Sequence, residues 1–349
     1  MNIGIIGAGS ICEYHIRAYL NNNNCVVKAI ADVNIENAKR RAEQFNIEHV
    51  YDDYKKLLEN DEIDAVSILT PTFTHKQIII DALKKGKNVL CEKPPALSAE
   101  ETKECCEVAK ECGSFLMFGF VCRFRSQMQY LKEYIENGKM GKIICGEAVR
   151  THRCDCTGGW FLNKSKSGGG PLRDAAIHEL DSILYLMDYP EVNSVTGFTS
   201  DVSKDLPSKV NGIKEGWVSA DKTTYERDVE NVASGYITFK NGASVYVKTS
   251  TVLHTVSQGE YIELSGEKAG FKFAPGCDIQ MIETTEDNYL REVKPIIADS
   301  DIFQLEINHF VDCILNGTEC ICKNEEAVML MEIIDAIYKS AETGKTIYF

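Results

Sequence analysis

No apolar run in the chain approaches the roughly 18 residues that a membrane-spanning helix needs, so no membrane partner is expected. Positive charge is in short supply: 38 Lys and Arg stand against 52 Asp and Glu, a net charge of −14. Like-charge repulsion then argues against nucleic acid and anionic lipid as partners. Met1 is followed by no basic segment and no cleavage site, only by Asn2-Ile3-Gly4-Ile5-Ile6, and the expected location is cytoplasmic. There is no internal repeat, and Asn21–Asn24 is the only low-complexity spot.

What is present reads as an ordinary soluble globular protein of 349 residues, 44% apolar and 26% charged, long enough for about two domains. Its 14 cysteines spread from Cys12 to Cys322 through apolar segments and do not form a disulfide framework. The pairs Cys154/Cys156 and Cys320/Cys322 have one residue between partners, where paired zinc ligands usually have two to four. His152-Arg153-Cys154-Asp155-Cys156 is the one tempting cluster, but no metal site is expected. Buried small hydrophobes are the better account of most cysteines.

Over the first 120 residues, strand-like runs alternate with helical ones. Strands are expected at Ile3–Ile6, Val26–Ala31, Ala65–Leu69, Asn88–Cys91 and Ser114–Phe118. Helices are expected at Ile11–Leu20, Ile35–Phe45, His75–Lys84 and Ala99–Glu111. That alternation implies an α/β domain with a doubly wound parallel sheet, covered on both faces. Beyond Phe120 the pattern changes to a helix at Gln127–Ile135, a strand at Lys142–Thr151 and a Gly/Ser/Lys-rich loop from Gly158 to Gly170. One helix should then run from Asp174 to about Met187, followed by long antiparallel strands from Val192 to about Ile282. Asn241-Gly242 is a two-residue hairpin signal. Helices at Ile302–Leu315 and Glu325–Ala341 close the chain. The expected domains are 1–121 and 122–349, the second an α+β domain with a large, mostly antiparallel open sheet, its last helices packing back toward the first.

Gly7-Ala8-Gly9-Ser10-Ile11-Cys12 lies between the first strand and the first helix. Gly7 permits the tight turn, and Gly9 lets the backbone approach a pyrophosphate at the helix N-terminus, with Ser10 and Ile11 beside it. Cys12 stands where Gly or Ala is usual. Asp32, at the end of the second strand, is placed to accept hydrogen bonds from ribose hydroxyls, and Val33-Asn34 offers nothing for a 2′-phosphate. The cofactor expected is NAD rather than NADP.

Glu92-Lys93-Pro94 follows the fifth strand, at the sheet edge where ligands bind. The Lys93 ammonium there could stabilise a developing alkoxide; position alone supports a solvated lysine equally well. In the stretch from Gly168 to Asp181, a continuous helix would place Asp174, His178 and Asp181 on one face. A histidine beside a carboxylate after a flexible glycine loop suits a general base, although spacing alone leaves a capping or packing histidine open. His178-Glu179-Leu180-Asp181-Ser182 has no second histidine for a zinc protease.

The Gly7 loop, Thr70-Pro71-Thr72-Phe73-Thr74-His75, Glu92-Lys93-Pro94 and the Gly168–Asp181 stretch together resemble the Gfo/Idh/MocA oxidoreductases, in order and spacing. So does the closing Phe310…Tyr338-Lys339-Ser340-Ala341…Gly344 pattern. Thr72 for the more usual Asn and Ala176 for a common Gly are departures. The resemblance implies Lys93, Asp174 and His178 as the catalytic set, with Thr70, Pro71, Thr72, His75 and Glu92 along the cofactor. Similarity to inositol dehydrogenases makes His152 a substrate contact. Trp160 resembles the pocket tryptophans of sugar-oxidising relatives, with a core position the alternative; His254 is a further candidate. The implied reaction is hydride transfer between NAD and a secondary alcohol of a sugar, cyclitol or glycoside. Alternatives are a keto-sugar reductase, a retained-NAD enzyme working by transient oxidation, and, remotely, a non-catalytic sensor. A homodimer or homotetramer is expected, because the outer face of the antiparallel sheet needs cover.

Overall fold

Near-continuous β-branched runs separated by amphipathic helices build the first sheet, as strands buried on both faces require. The computed structural model describes residues 1–152, 158–202, 226–253, 255 and 259–349. In chain order come β1 (Asn2–Ile6), α1 (Cys12–Leu20), β2 (Val26–Ala31), α2 (Ile35–Phe45), β3 (His49–Tyr51), α3 (Tyr54–Leu58), β4 (Ala65–Ile68), α4 (His75–Lys84), β5 (Asn88–Glu92), α5 (Ala99–Cys112) and β6 (Leu116–Gly119). The strand order is β3-β2-β1-β4-β5-β6, and every pairing is parallel. The order reverses between β1 and β4, the switch point at whose carboxyl edge ligands bind in such sheets. The Gly7 turn, Asp32, Thr70 and Lys93 all follow the carboxyl ends of their strands. β3 and α3 are elements the sequence pattern passes over: β3 has only three residues, all half-buried.

The remaining elements are α6 (Ser126–Glu136), β7 (Ile143–Thr151), α7 (Lys164–Ser167), α8 (Pro171–Asp174), α9 (Ile177–Leu186), β8 (Val192–Ser200), β9 (Val232–Phe239), β10 (Ser244–Ser250), β11 (Gly259–Gly266), β12 (Ala269–Phe273), β13 (Gln280–Thr284), β14 (Leu290–Val293), α10 (Ile302–Asn316), α11 (Asn324–Thr343) and β15 (Ile347–Tyr348). The second sheet runs β14-β13-β12-β11-β7-β10-β9-β8-β15, and among the described residues only β7 and β10 pair in parallel. The hairpin at Asn241-Gly242 has a three-residue loop, not two: Phe239 N–H bonds Ala243 O at 2.9 Å, and Gly242 takes φ +89°. A left-handed glycine ending a three-residue loop restores the strand register.

The chain divides into two compact units, 1–121 with 301–331 and 122–300 with 332–349. Within the second, α9 packs on β7 and β11, burying Ile177, Leu180, Ile183 and Leu184 completely. Gly146 on β7 admits Ile183, whose Cδ1 would lie 2.5 Å from any Cβ there. Among the described residues no helix is long and apolar enough to cross a membrane.

Candidate functional site

In the first unit, Gly7 has φ +105° and a Cβ there would meet Leu69 O at 2.6 Å, so both conformation and space demand glycine. Gly9 is different: a Cβ would have nothing within 4 Å, so the backbone borders open space. Ser10 is exposed and Ile11 half-buried, and α1 begins without a side-chain cap, which leaves its first N–H groups to other acceptors. These features fit a pyrophosphate. Cys12 is buried, and burial pushes its thiol up to about 12, so it packs as a neutral group.

Asp32 accepts from Ala8 N at 2.7 Å and from Asn34 N at 2.8 Å, which fixes its half-buried carboxylate against the glycine turn. Val33 beside it is 96% exposed, offering no charge to a 2′-phosphate. Sequence reasoning missed Arg41 on α2, whose guanidinium reaches Gly9 O at 3.4 Å and Glu13 at 2.7 Å. Nine residues beyond Asp32, it carries no motif that would have flagged it.

Thr72 and His75 are buried, and Thr74 Oγ1 bonds both Thr70 Oγ1 and Pro71 O at 2.7 Å. The two ring nitrogens of His75 lie 2.8 Å from Pro94 O and from Thr70 O. Burial pushes its pKa down against those two carbonyls. His75 thus ties the turn after β4 to the turn after β5, where Lys93 is half-buried. Glu92 accepts from Lys93 N at 3.1 Å and lies 3.0 Å from His15 Nε2. Glu306 of α10 completes this group: burial first, and the Glu92 charge next, push its carboxyl far up. Nothing local in the sequence relates Glu306 to Glu92.

In the second unit the expected single helix from Asp174 is interrupted. Asp174 closes α8, and His178 is the second residue of α9. Between them Ala176 N bonds Pro171 O, five residues back, and His178 N bonds Ala175 O, three back. The helical argument for a shared face therefore does not apply across this joint. Both side chains are half-buried, and His178 Nδ1 lies 3.7 Å from Cys122 Sγ, whose thiol burial pushes up to about 11. Asp181 is committed elsewhere: fully buried Arg123 and the Tyr189 hydroxyl, at 2.6 Å, hold it.

The end of the glycine loop is closely packed. A Cβ on Gly169 would lie 2.2 Å from the Tyr338 hydroxyl, and one on Gly170 would lie 2.0 Å from Glu230 O. Glu230 accepts from Gly170 N, Leu172 N and Tyr338 Oη at 2.8, 3.2 and 2.9 Å. Burial raises its pKa, and those hydrogen bonds oppose the rise. Glu230 is a residue that sequence reasoning missed.

His152 follows β7 and is half-exposed, 3.9 Å from Glu260. Arg150 joins Glu260 at 2.6 Å to Glu179 of α9 at 2.8 Å, so a chain of charges links His152 to the neighbour of His178. Burial pushes Glu179 up to about 7 against Arg150, while burial and the Arg150 charge lower His152. Trp160 is half-buried and stacked on Phe161, with centroids 3.8 Å apart. Among the described residues no disulfide forms, and Cys12, Cys25, Cys91, Cys105, Cys106, Cys313 and Cys322 are buried. Cys154, Cys156 and His254 lie outside the described residues.

Residues 1–120 match the Gfo/Idh/MocA oxidoreductase family, NAD-binding Rossmann fold, and residues 132–349 match its C-terminal alpha/beta domain. The chain is 31% identical over 347 residues to D-glucoside 3-dehydrogenase of Escherichia coli strain K12, covering 99% of this chain and 96% of the relative. It is 27% identical to scyllo-inositol 2-dehydrogenase (NAD(+)) of Bacillus subtilis strain 168, covering 97% and 94%. A levoglucosan dehydrogenase solved with NADH and levoglucosan has the same fold, with TM-score 0.84 at 24% identity over 100% of this chain and 99% of that one. With the glycine turn, Asp32 and both domains in register, the chain belongs to the Gfo/Idh/MocA family and is an NAD-binding oxidoreductase.

Proposed function

We propose that the protein oxidises a secondary ring hydroxyl of a sugar, glycoside or cyclitol. The observation that carries this reading is similarity over 99% of the chain to a D-glucoside 3-dehydrogenase, in a sequence that has Lys93, Asp174 and His178 where a lysine, carboxylate and histidine could act together. Bound NAD would supply the hydride acceptor. Gly7, Gly9, Ser10 and Ile11 hold its pyrophosphate and Asp32 its adenosine ribose, with Thr70, Pro71, Thr72, His75 and Glu92 shaping the wall beside it.

His178 takes the hydroxyl proton on the ring nitrogen opposite the one that faces Cys122. Asp174 orients that ring and steadies its cationic form, as carboxylates do for catalytic imidazoles. The Lys93 ammonium binds the reacting oxygen and favours its developing negative charge. His152 and Trp160 contact the remainder of the substrate, the first through hydrogen bonds and the second through its apolar ring.

Reduced-nicotinamide absorbance with NAD, against a panel of glycosides, aldoses and inositols, tests the activity. His178→Ala should lower turnover by roughly 10²–10⁴-fold with NAD affinity unchanged. Turnover equal to that of the parent chain would remove His178 from the reaction.

The reading extends to assembly. Ile144, Phe198, Tyr236 and Tyr246 are exposed on β7, β8, β9 and β10, and Tyr236 pairs directly with Tyr246. A second copy of the chain covers this face. Light scattering at micromolar concentration should give at least twice the 39.0 kDa chain mass, and a monomer would contradict it.

A further inference from the structure

One group of metal-ligating side chains in the first unit has no part in the reaction above. His309 and Cys313 are four residues apart on α10 and so share a face. The helix ends at Gly317, with φ +68°, and the chain turns back to bring Cys320 to the same place. A ring nitrogen of His309 and the two sulfurs lie within 4.8 Å of one another. His309 Nε2 and Cys313 Sγ are 3.4 Å apart. Nitrogen and sulfur bound to one tetrahedral zinc, at about 2.0 and 2.3 Å, would be about 3.5 Å apart.

We propose that His309, Cys313 and Cys320 bind a zinc-like divalent cation, with solvent in the fourth position. Two thiols and an imidazole are donors of the softness that selects zinc over magnesium or calcium. The imidazole is in the right form, because Ile321 N donates to Nε2 at 3.1 Å and that nitrogen therefore carries a lone pair. Coordination would exchange this hydrogen bond for a bond to the metal. Binding displaces the thiol protons and leaves two thiolates, which neutralise the 2+ charge. The paired cysteines of the sequence, Cys320 and Cys322, do not act as a chelating pair; Cys320 instead donates to Cys322 O at 3.4 Å. Cys320 meets a His-x₃-Cys pair on a helix, a spacing legible in the sequence only once the turn at Gly317 is known. The bound cation would pin the end of α10 to the segment leading into α11.

The test is titration of the reduced full-length protein with Co²⁺, followed by Zn²⁺. The expected result is a thiolate-to-cobalt charge-transfer band saturating near one equivalent and lost on adding zinc. Zinc remaining after desalting, measured by mass spectrometry, should fall at least tenfold in the Cys313→Ser/Cys320→Ser variant and in His309→Ala. It should be unchanged in Cys145→Ser, an exposed thiol of the second unit. Two variants with different ligands removed, each compared by circular dichroism, separate lost binding from lost folding. A charge-transfer band absent from the parent chain, or persisting in the double-serine variant, would overturn the proposal. So would a Cys313–Cys320 disulfide in protein purified with zinc present. None of these readouts depends on substrate turnover, so the outcome is independent of the role given to His178.

Discussion

Two glycine turns, one in each unit, lead into helices, and each is held by a carboxylate from a distant segment. Asp32 accepts from Ala8 N in the first, and Glu230 accepts from Gly170 N and Leu172 N in the second. They differ in what a Cβ would meet. Gly9 borders open space, whereas Gly169 and Gly170 are filled by Tyr338 and Glu230. The first turn uses glycine to leave open space above the backbone; the second uses it to let the protein close on itself. A glycine-rich sequence before a helix therefore does not by itself mean flexibility or anion binding. The occupant of the space above it decides.

Adding a single methyl group separates the two turns most sharply. Gly170→Ala sets a Cβ against a backbone carbonyl at 2.0 Å, which cannot rotate away, and should cost about 3 kcal/mol in a urea unfolding titration. Gly9→Ala should change stability by less than about 0.5 kcal/mol while weakening NAD binding at least tenfold, about 1.4 kcal/mol, by calorimetry. Equal destabilisation by the two would erase the distinction.

Removing the carboxylates probes the same contrast at smaller cost. Glu230→Ala strips the acceptor from Gly170 N, Leu172 N and Tyr338 Oη and should destabilise by about 2 kcal/mol. Its folded pKa lies above the ordinary carboxylate value, so the folded protein holds the proton more tightly than the unfolded chain. Stability contributed by this group then falls as pH rises from the ordinary carboxylate value through the folded one. Glu230→Gln should flatten that limb of a pH–stability curve, and an unchanged slope would show the group is not its source. Asp32→Ala should have the least effect on folding, with its signature in the cofactor instead. The NAD-to-NADP preference should drop roughly tenfold in paired binding titrations. An undiminished preference would refute the ribose assignment.

Legibility followed the range of the interaction. α2 and α4 occupy the residues the periodicity implies, because amphipathic spacing, and for α2 the Asn34 cap, are local signals. β3 was not legible: three half-buried residues carry no period. The joint between α8 and α9 was also hidden, since Ala175 and Ala176 are good helix formers and only the packing of Gly169 and Gly170 reveals how the chain enters there. Of the candidate site, Gly7, Gly9 and Asp32 could be read because turn, close approach and strand end are written within one βαβ unit. His75 could be named, but not its bonds to Thr70 and Pro94. Asp181 could be misread, because its partner Arg123 lies 58 residues away.

The sequence by itself determined the alternation of strands and helices, the parallel first sheet and the tight glycine turn after β1, since each follows from periodicity or backbone freedom over a few residues. Only the tertiary structure decided which carboxylates are held and by what. It brought Glu230 to a turn 60 residues earlier, and Cys320 to a helix face across the turn at Gly317. Burial then raised the pKa of Glu230. Desolvation acts through everything that surrounds a group, and no local pattern records it.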